Sequence, residues 1–506
     1  MKELKILNKH DSSFKSNKSL TMKILQKNRL TSASLSSLAN LTLQSESLKI
    51  RQPPTQDRVQ AAIQLIKANI HTHQPSAHSL LWAEDRLVID LGSMYVKYGF
   101  SSNPTPQFTL PVYSKSLLPA FKYVEKHYGF YTPKTQELMT ELGGEFMMED
   151  KVFQMLHCMF RTHLAQAPQR RRTLLLENPF FPSKLKNIIT KVLFQRFQVS
   201  AVTFLPSQLM ALMSMGESMG LVVDVGNLET TVLAVFDGRP LYSTSVTSPL
   251  AGKEVNIHLK KLLLGFATAK RSSRLVPPHP RIGARLTAPG LDDDVTLIPD
   301  MLTLQLLEEI KTRLLIVNKS RAAAPVSLSD PDFEERYSAI ATASTIVFPF
   351  RFQGQGYDLT IPGWIREYTY DILFDTSEGL DCLTPPQAAL ECLRRVPTDL
   401  RASIISRLLL TGGTSASPNF SYRFQIELLD LLTQPRYASL RPLGDRLTLL
   451  NSIPTSGTFS SAHHAWAGAA VACGIRGVSE QVTADAFDPL VPVPDWITGS
   501  ATSIVV

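Results

Sequence analysis

Cysteine is scarce: four residues in 506, Cys158, Cys382, Cys392 and Cys473, lie far apart. No CxxC pair and no zinc-module Cys/His spacing occurs. A disulfide scaffold and a structural zinc site are therefore excluded, and a reducing compartment fits. Also missing is any uncharged apolar run of the ~20 residues a membrane-spanning helix needs. Neither a Walker P-loop nor a G-x-G-x-x-G is present, so the two commonest nucleotide folds lack support in the sequence. Charged residues are only 19% of the chain against 44% hydrophobic. That composition is globular with ample material for a core, and at ~150 residues per domain the length suggests about three folding units.

The charge that is present is lopsided. The net value is +8, yet residues 1–30 hold seven Lys and one Arg against Glu3 and Asp11. Residues 31–60 and the whole remaining body each contribute a surplus of one. Basicity thus belongs to the leading segment, whereas a nucleic-acid-binding domain shows a basic face in its folded part. Residues 1–85 read as a basic, largely disordered extension. Its preference for Lys over Arg separates it from a transit peptide. Within it, Val59, Ile63, Ile66 and Ile70 stand at helical spacing, which predicts a short helix over 58–70. His71, His73 and His78 have no Cys or carboxylate in register and read as linker.

Order begins at Arg86. LVID-LGSM-YVKYGF (Leu87–Phe100) is echoed by LVVD-VGNLE-TTVLAVF (Leu221–Phe236). Each is a buried strand ending in Asp, a Gly-bearing tight turn and a returning strand, which suggests a duplicated α/β unit. Helices are expected over Asp150–Leu164, from a Ser183 cap through about Phe197, from Ser207, over Leu302–Val317 and over His463–Ile475. Residues 264–299 read as an exposed insertion, whose Asp292–Asp294 lacks the ligand spacing of a metal loop. LLLTGGTSASP (Leu408–Pro418) is strand, Gly-Gly turn and helix start.

Two such turns facing each other could hold a polyphosphate. Glycine permits positive φ and lets successive backbone N–H groups aim at phosphate oxygens. Asp90 and Asp224 would face magnesium, through its waters because Mg²⁺ dehydrates reluctantly. Lys97 would add a cation, Ser93 a hydroxyl, and Gly412-Gly413-Thr414 a close backbone approach to the nucleoside.

The succession of these two hairpins, PLAGKEV (Pro249–Val255), LLLTGGTSASPNF and HAWAGAAVACG resembles the actin family over residues 86 to about 475. The resemblance implies an actin-like α/β fold: two RNase-H-like domains, split into four subdomains, around a nucleotide cleft. The first lobe would span 86–220 with its second subdomain abbreviated. The second would span 221–475 and return to the first near its end, and 476–506 would be a C-terminal tail. By motif, Asp90 and Asp224 fall on the magnesium-side aspartates. Gly92, Ser93 and Lys97 fall on the first phosphate loop, Gly226 on the second and Gly252 on the cleft. Lys311 falls on an adenine-side lysine, and Gly412, Gly413 and Thr414 on the adenosine turn. The implied cofactor is ATP or ADP with magnesium.

Departures from the family pattern qualify that cofactor. Met94 replaces a loop glycine, Asn227 and Leu228 replace an Asp and a Gly, and Thr312 stands where an acidic residue would hold the ribose. Actins orient the attacking water with a Gln and a His; here those positions are Ser207 and Thr231, with Gln208 about 100° round its helix. Without groups to position water, phosphoryl transfer loses most of what a protein supplies. Weak or static nucleotide binding, negligible hydrolysis and no enzymatic role are the expectation.

Within the family, Arg171–Gly216, Val396–Ile404 and Pro494–Trp496 are most similar to the subunit that ends dynactin's actin-like filament at its pointed end. The implied partners are a filament-forming actin-related protein and the pointed-end subunits of dynactin, with dynein and microtubules indirectly, in the cytoplasm and cytoskeleton. A nuclear actin-related subunit of a chromatin remodeller stays open, since the Lys-rich segment could be a localisation signal. A sugar kinase or Hsp70-like ATPase shares the superfold. However, no sugar-kinase signature is found, and only about thirty residues follow Ile475 where an Hsp70 carries its peptide-binding domain.

Overall fold

The structure, a computed structural model, describes residues 86–111, 144–164, 171–272, 294–319, 332–375, 382–452, 459–473, 481–489, 491 and 493. Outside the described residues lie the extension 1–85 with its expected helix at 58–70, residues 112–143, most of the expected insertion and the end of the tail.

β1 (Leu87–Leu91) is apolar on both faces because both are covered: Leu87, Val88 and Ile89 are buried. Antiparallel β2 (Tyr95–Phe100) sets Asp90 opposite Lys97, and β3 (Phe108–Pro111) pairs with β2. α1 (Gly144–His157) runs into a π-helical turn at Cys158–His163. β4 (Arg172–Glu177) then enters parallel to β1, and α2 (Ser183–Gln195) leads to β5 (Ala201–Pro206), parallel to β4. α3 (Ser207–Ser214) follows directly. Ser183, expected to cap α2, is instead its first helical residue, and Ser207 opens α3 as expected. Pro182 and Pro206 hold the cap positions in extended backbone, which the fixed proline φ favours.

The second unit repeats the plan. β6 (Gly220–Val225) and antiparallel β7 (Thr230–Phe236) set Asp224 opposite Thr231. Asp237 and Gly238, both at positive φ, turn the chain into β8 (Arg239–Pro240), and β9 (Val246–Ser248) pairs β7. α4 (Gly252–Phe266) buries Leu259, Leu262 and Leu263, and β10 (Thr268–Arg271) pairs with later strands. Ordered elements thus continue past Leu264, where the insertion was expected to begin, and β11 (Asp294–Val295) lies within its far end. α5 (Leu304–Leu314) starts where the Thr303 hydroxyl accepts from the Leu306 N–H at 3.3 Å. β12 (Ile346–Phe352) and β13 (Gln355–Ile361) form a hairpin. α6 (Pro385–Arg395) opens on a reciprocal Thr384–Gln387 cap. α7 (Thr398–Ile405), β14 (Leu408–Thr411) parallel to β6, and α8 (Phe420–Thr433) follow. α9 (His464–Cys473) and β15 (Val482–Thr483), antiparallel to β5, return to the first unit. The C-terminal stretch docks there too, with Phe487 against Phe194 and the Val493 N–H donating to Asn187 Oδ1 at 2.8 Å.

The sheets are ordered β15-β5-β4-β1-β2-β3, then β14-β6-β7-β8 with β9 on β7, and β11-β10-β13-β12. Both large sheets carry an antiparallel hairpin with a parallel strand on the far side of its first member, so the sequence echo is an echo of topology. Each has its own hydrophobic core, and a third cluster joins them through α3 and α9, from Val88 and Leu174 to Val222 and Leu409 around Trp466. Here α9 comes so near α3 that a Cβ on Gly468 would lie 1.8 Å from the Met210 carbonyl oxygen. That joint leaves the turns of the two hairpins on opposite walls of one cavity.

Candidate nucleotide cleft

The cavity measures about 370 Å³. Asp90, Gly92, Ser93 and Lys97 line one wall and Asp224 and Gly226 the other, with Lys311, Gly412, Gly413 and Thr414 also at its surface. Ten of the eleven site residues read from the sequence therefore meet in one space. Gly252 does not line it; it stands behind the second turn, its N–H donating to the Gly226 carbonyl at 3.1 Å. Thr414 Oγ1 donates to the same oxygen at 2.7 Å, tying the Gly-Gly turn to the second hairpin.

At one end, Lys97 Nζ donates to Asp90 Oδ2 at 2.8 Å. Burial pushes the Asp224 carboxyl up to about 6; Lys97 pulls it down, while Asp90 and Glu229 push it further up. Glu229 is raised by burial as well. Three carboxyl groups thus act on one another with a single ammonium beside them, an excess of negative charge at this end of the cavity. Among the described residues no three His, Cys, Asp or Glu stand together as a preformed metal cage.

The other end reads hydrogen bonds. Glu308, 1% exposed, is ion-paired with Lys311, and Asn256 Nδ2 donates to its Oε1 at 2.5 Å. Tyr95, from the opposite wall, donates its hydroxyl to Glu308 Oε2 at 3.2 Å. Tyr370, buried, shares a 2.5 Å hydrogen bond with Ser417. Glu308, Tyr95 and Tyr370 were not read from the sequence. Two of them had a signal: Glu308 lies one helical turn before Lys311, and Tyr95 shares a strand face with Lys97.

The departures are visible too. Met94 is buried and lines the cavity, as do Asn227 and Leu228. Thr312 turns its hydroxyl back to its own helix, donating to the Glu308 carbonyl at 2.8 Å. Ser207 reaches the cavity, but its hydroxyl donates to Gln208 Oε1 at 3.1 Å. Gln208 and Thr231 are fully buried and are not part of the lining.

A family model described as Actin matches residues 83–475. Similar curated proteins include "SWI/SNF and RSC complexes subunit arp42" of Schizosaccharomyces pombe, 22% identical over 377 residues, spanning 69% of this chain and 86% of that protein. "Actin-related protein 10" of Dictyostelium discoideum is 20% identical over 371 residues, spanning 68% and 74%. "Actin-like protein 9" of Bos taurus is 24% identical over 355 residues, with the same two shares.

Proposed function

The chain belongs to the actin family, and from that premise we propose that it is a non-catalytic actin-related subunit whose cleft binds ATP or ADP with magnesium only weakly or statically. The backbone turns at Gly92–Ser93 and Gly226, with Lys97, would hold the phosphates, and Asp90 and Asp224 the cation. Lys311 and the Gly412–Thr414 turn would receive the nucleoside. When bound, the group would supply phosphate charge and hydrogen-bond acceptors to the two turns.

One observation carries the non-catalytic reading. The position that would orient attacking water from the α3 side is Ser207, whose hydroxyl is spent on Gln208, and the opposite one is Thr231, sealed in the core. A positioned proton-accepting or water-orienting group is worth about 10²–10⁴ in rate. Purified protein given MgATP should release no phosphate above the protein-free rate, and release at an actin-like rate would refute this reading.

The assembly we favour is dynactin, with this chain as the pointed-end subunit of its actin-like filament, of the actin-related protein 10 type. Three sequence features support it: the likeness of Arg171–Gly216, Val396–Ile404 and Pro494–Trp496, the similar Dictyostelium protein, and the diverged stretch between Phe100 and Leu174. Loss of the contact loop at one end while the other end still binds is how a head-to-tail assembly is terminated. The similarity to a protein named as a SWI/SNF and RSC subunit, with the Lys-rich leading segment, favours a chromatin remodeller as the second reading. Native pull-down with mass spectrometry decides. Recovery of a filament-forming actin-related protein with dynactin subunits supports the first, and recovery of remodeller subunits the second.

A further inference from the structure

Side chains alternate along a strand, so Tyr95 and Lys97 emerge on one face of β2 while Val96 and Tyr98 enter the core. Both emerging groups line the cavity, and both engage a carboxylate there. Lys97 takes Asp90 within its own hairpin. Tyr95 instead crosses the cavity to Glu308 on α5, in the other unit of the fold. Glu308 cannot swing to meet a different partner: Lys311 one turn along α5 and Asn256 on α4 hold the same carboxylate. The tie therefore joins a strand of the first sheet to two packed helices of the second unit, through a buried charged acceptor.

We infer that the Tyr95–Glu308 hydrogen bond is an internal latch that holds the cleft closed without nucleotide, and that a ligand entering the cleft must break it. The inference deepens the nucleotide reading above and rests on it only for its second half. It gives weak, static binding a cause: closure that a ligand would otherwise bring about is already made by the protein, so the ligand's differential affinity for the closed state is small. A hydrogen bond to a charged group is strong enough to shift such an opening equilibrium about ten-fold or more.

Tyr95→Phe removes the hydroxyl and keeps the ring. Hydrogen exchange of the full chain without nucleotide should then run about ten-fold faster in the two turns (residues 91–95 and 226–229) and in residues 304–310. Exchange in α2 and β14 should be unchanged. Adding MgATP should slow those segments back in the variant and alter the wild type little. Unchanged exchange in Tyr95→Phe, or wild-type protection by MgATP as large as the variant's, would overturn the latch. Faster exchange in the variant that MgATP never reverses would uphold the latch and overturn the nucleotide reading.

Discussion

Two adjacent glycines should separate stability from ligand binding. Gly412 sits at φ +97°, and a Cβ there would lie 2.3 Å from the Val225 carbonyl oxygen and 2.5 Å from Asp224 Oδ1. Gly412→Ala carries a left-handed backbone cost of about 1–2 kcal/mol. Forcing a methyl against a carbonyl of β6 and the carboxylate beside it adds about 1–3 kcal/mol. The sum, about 2–5 kcal/mol, should lower Tm by roughly 2–5 °C in a chain of this size. Gly413 has φ −65° and ψ −35°, and a Cβ there meets nothing within 4 Å. Gly413→Ala should thus leave Tm without ligand within about 1 °C of wild type, since the backbone conformation suits alanine. Its methyl enters the cavity that Gly413 lines and should weaken MgATP binding about ten-fold, equivalent to about 1.4 kcal/mol. Differential scanning fluorimetry with and without MgATP reads both effects. Equal destabilisation by the two variants would refute the geometry of the turn, and undiminished nucleotide stabilisation in Gly413→Ala would refute its place in the binding surface.

Two further sites test the interior. Burial pushes the Asp371 carboxyl from 3.8 up to about 7, against the pull of Arg423 and His258, with Asp375 and Glu427 adding to the rise. The unfolded chain releases this proton near pH 4 and the native chain only near pH 7, so the group's contribution to stability falls as pH rises between those values, by about 4 kcal/mol at most. Asp371→Asn should flatten that slope in thermal melts from pH 4 to 8, and a variant less stable than wild type at pH 7.5 would contradict it. Lys186 and Glu177 form a 2.8 Å ion pair with side chains 2% and 4% exposed, the ammonium lying over the Phe204 ring. Lys186→Met should cost about 3–5 kcal/mol by urea denaturation because a buried carboxylate loses its cation, and adding Glu177→Met should restore most of it.

The cleft was legible in the sequence to the extent that its parts are local. Each wall is one hairpin, and strand, terminal Asp, Gly turn and returning strand sit within some sixteen residues, so pattern alone places Asp90 beside Gly92 and Asp224 beside Gly226. The duplication supplies what locality cannot, since two copies of one device imply a common partner between them. The cap of α2 failed for a local reason as well: Ser183 after a Pro looks like a cap, but Pro182, with its fixed φ, had already taken the cap position. Glu308 and Tyr95 failed for the opposite reason. They meet across 213 positions, and nothing near either residue names the other. What the sequence leaves unread is therefore which groups on opposite walls of the cleft grip each other.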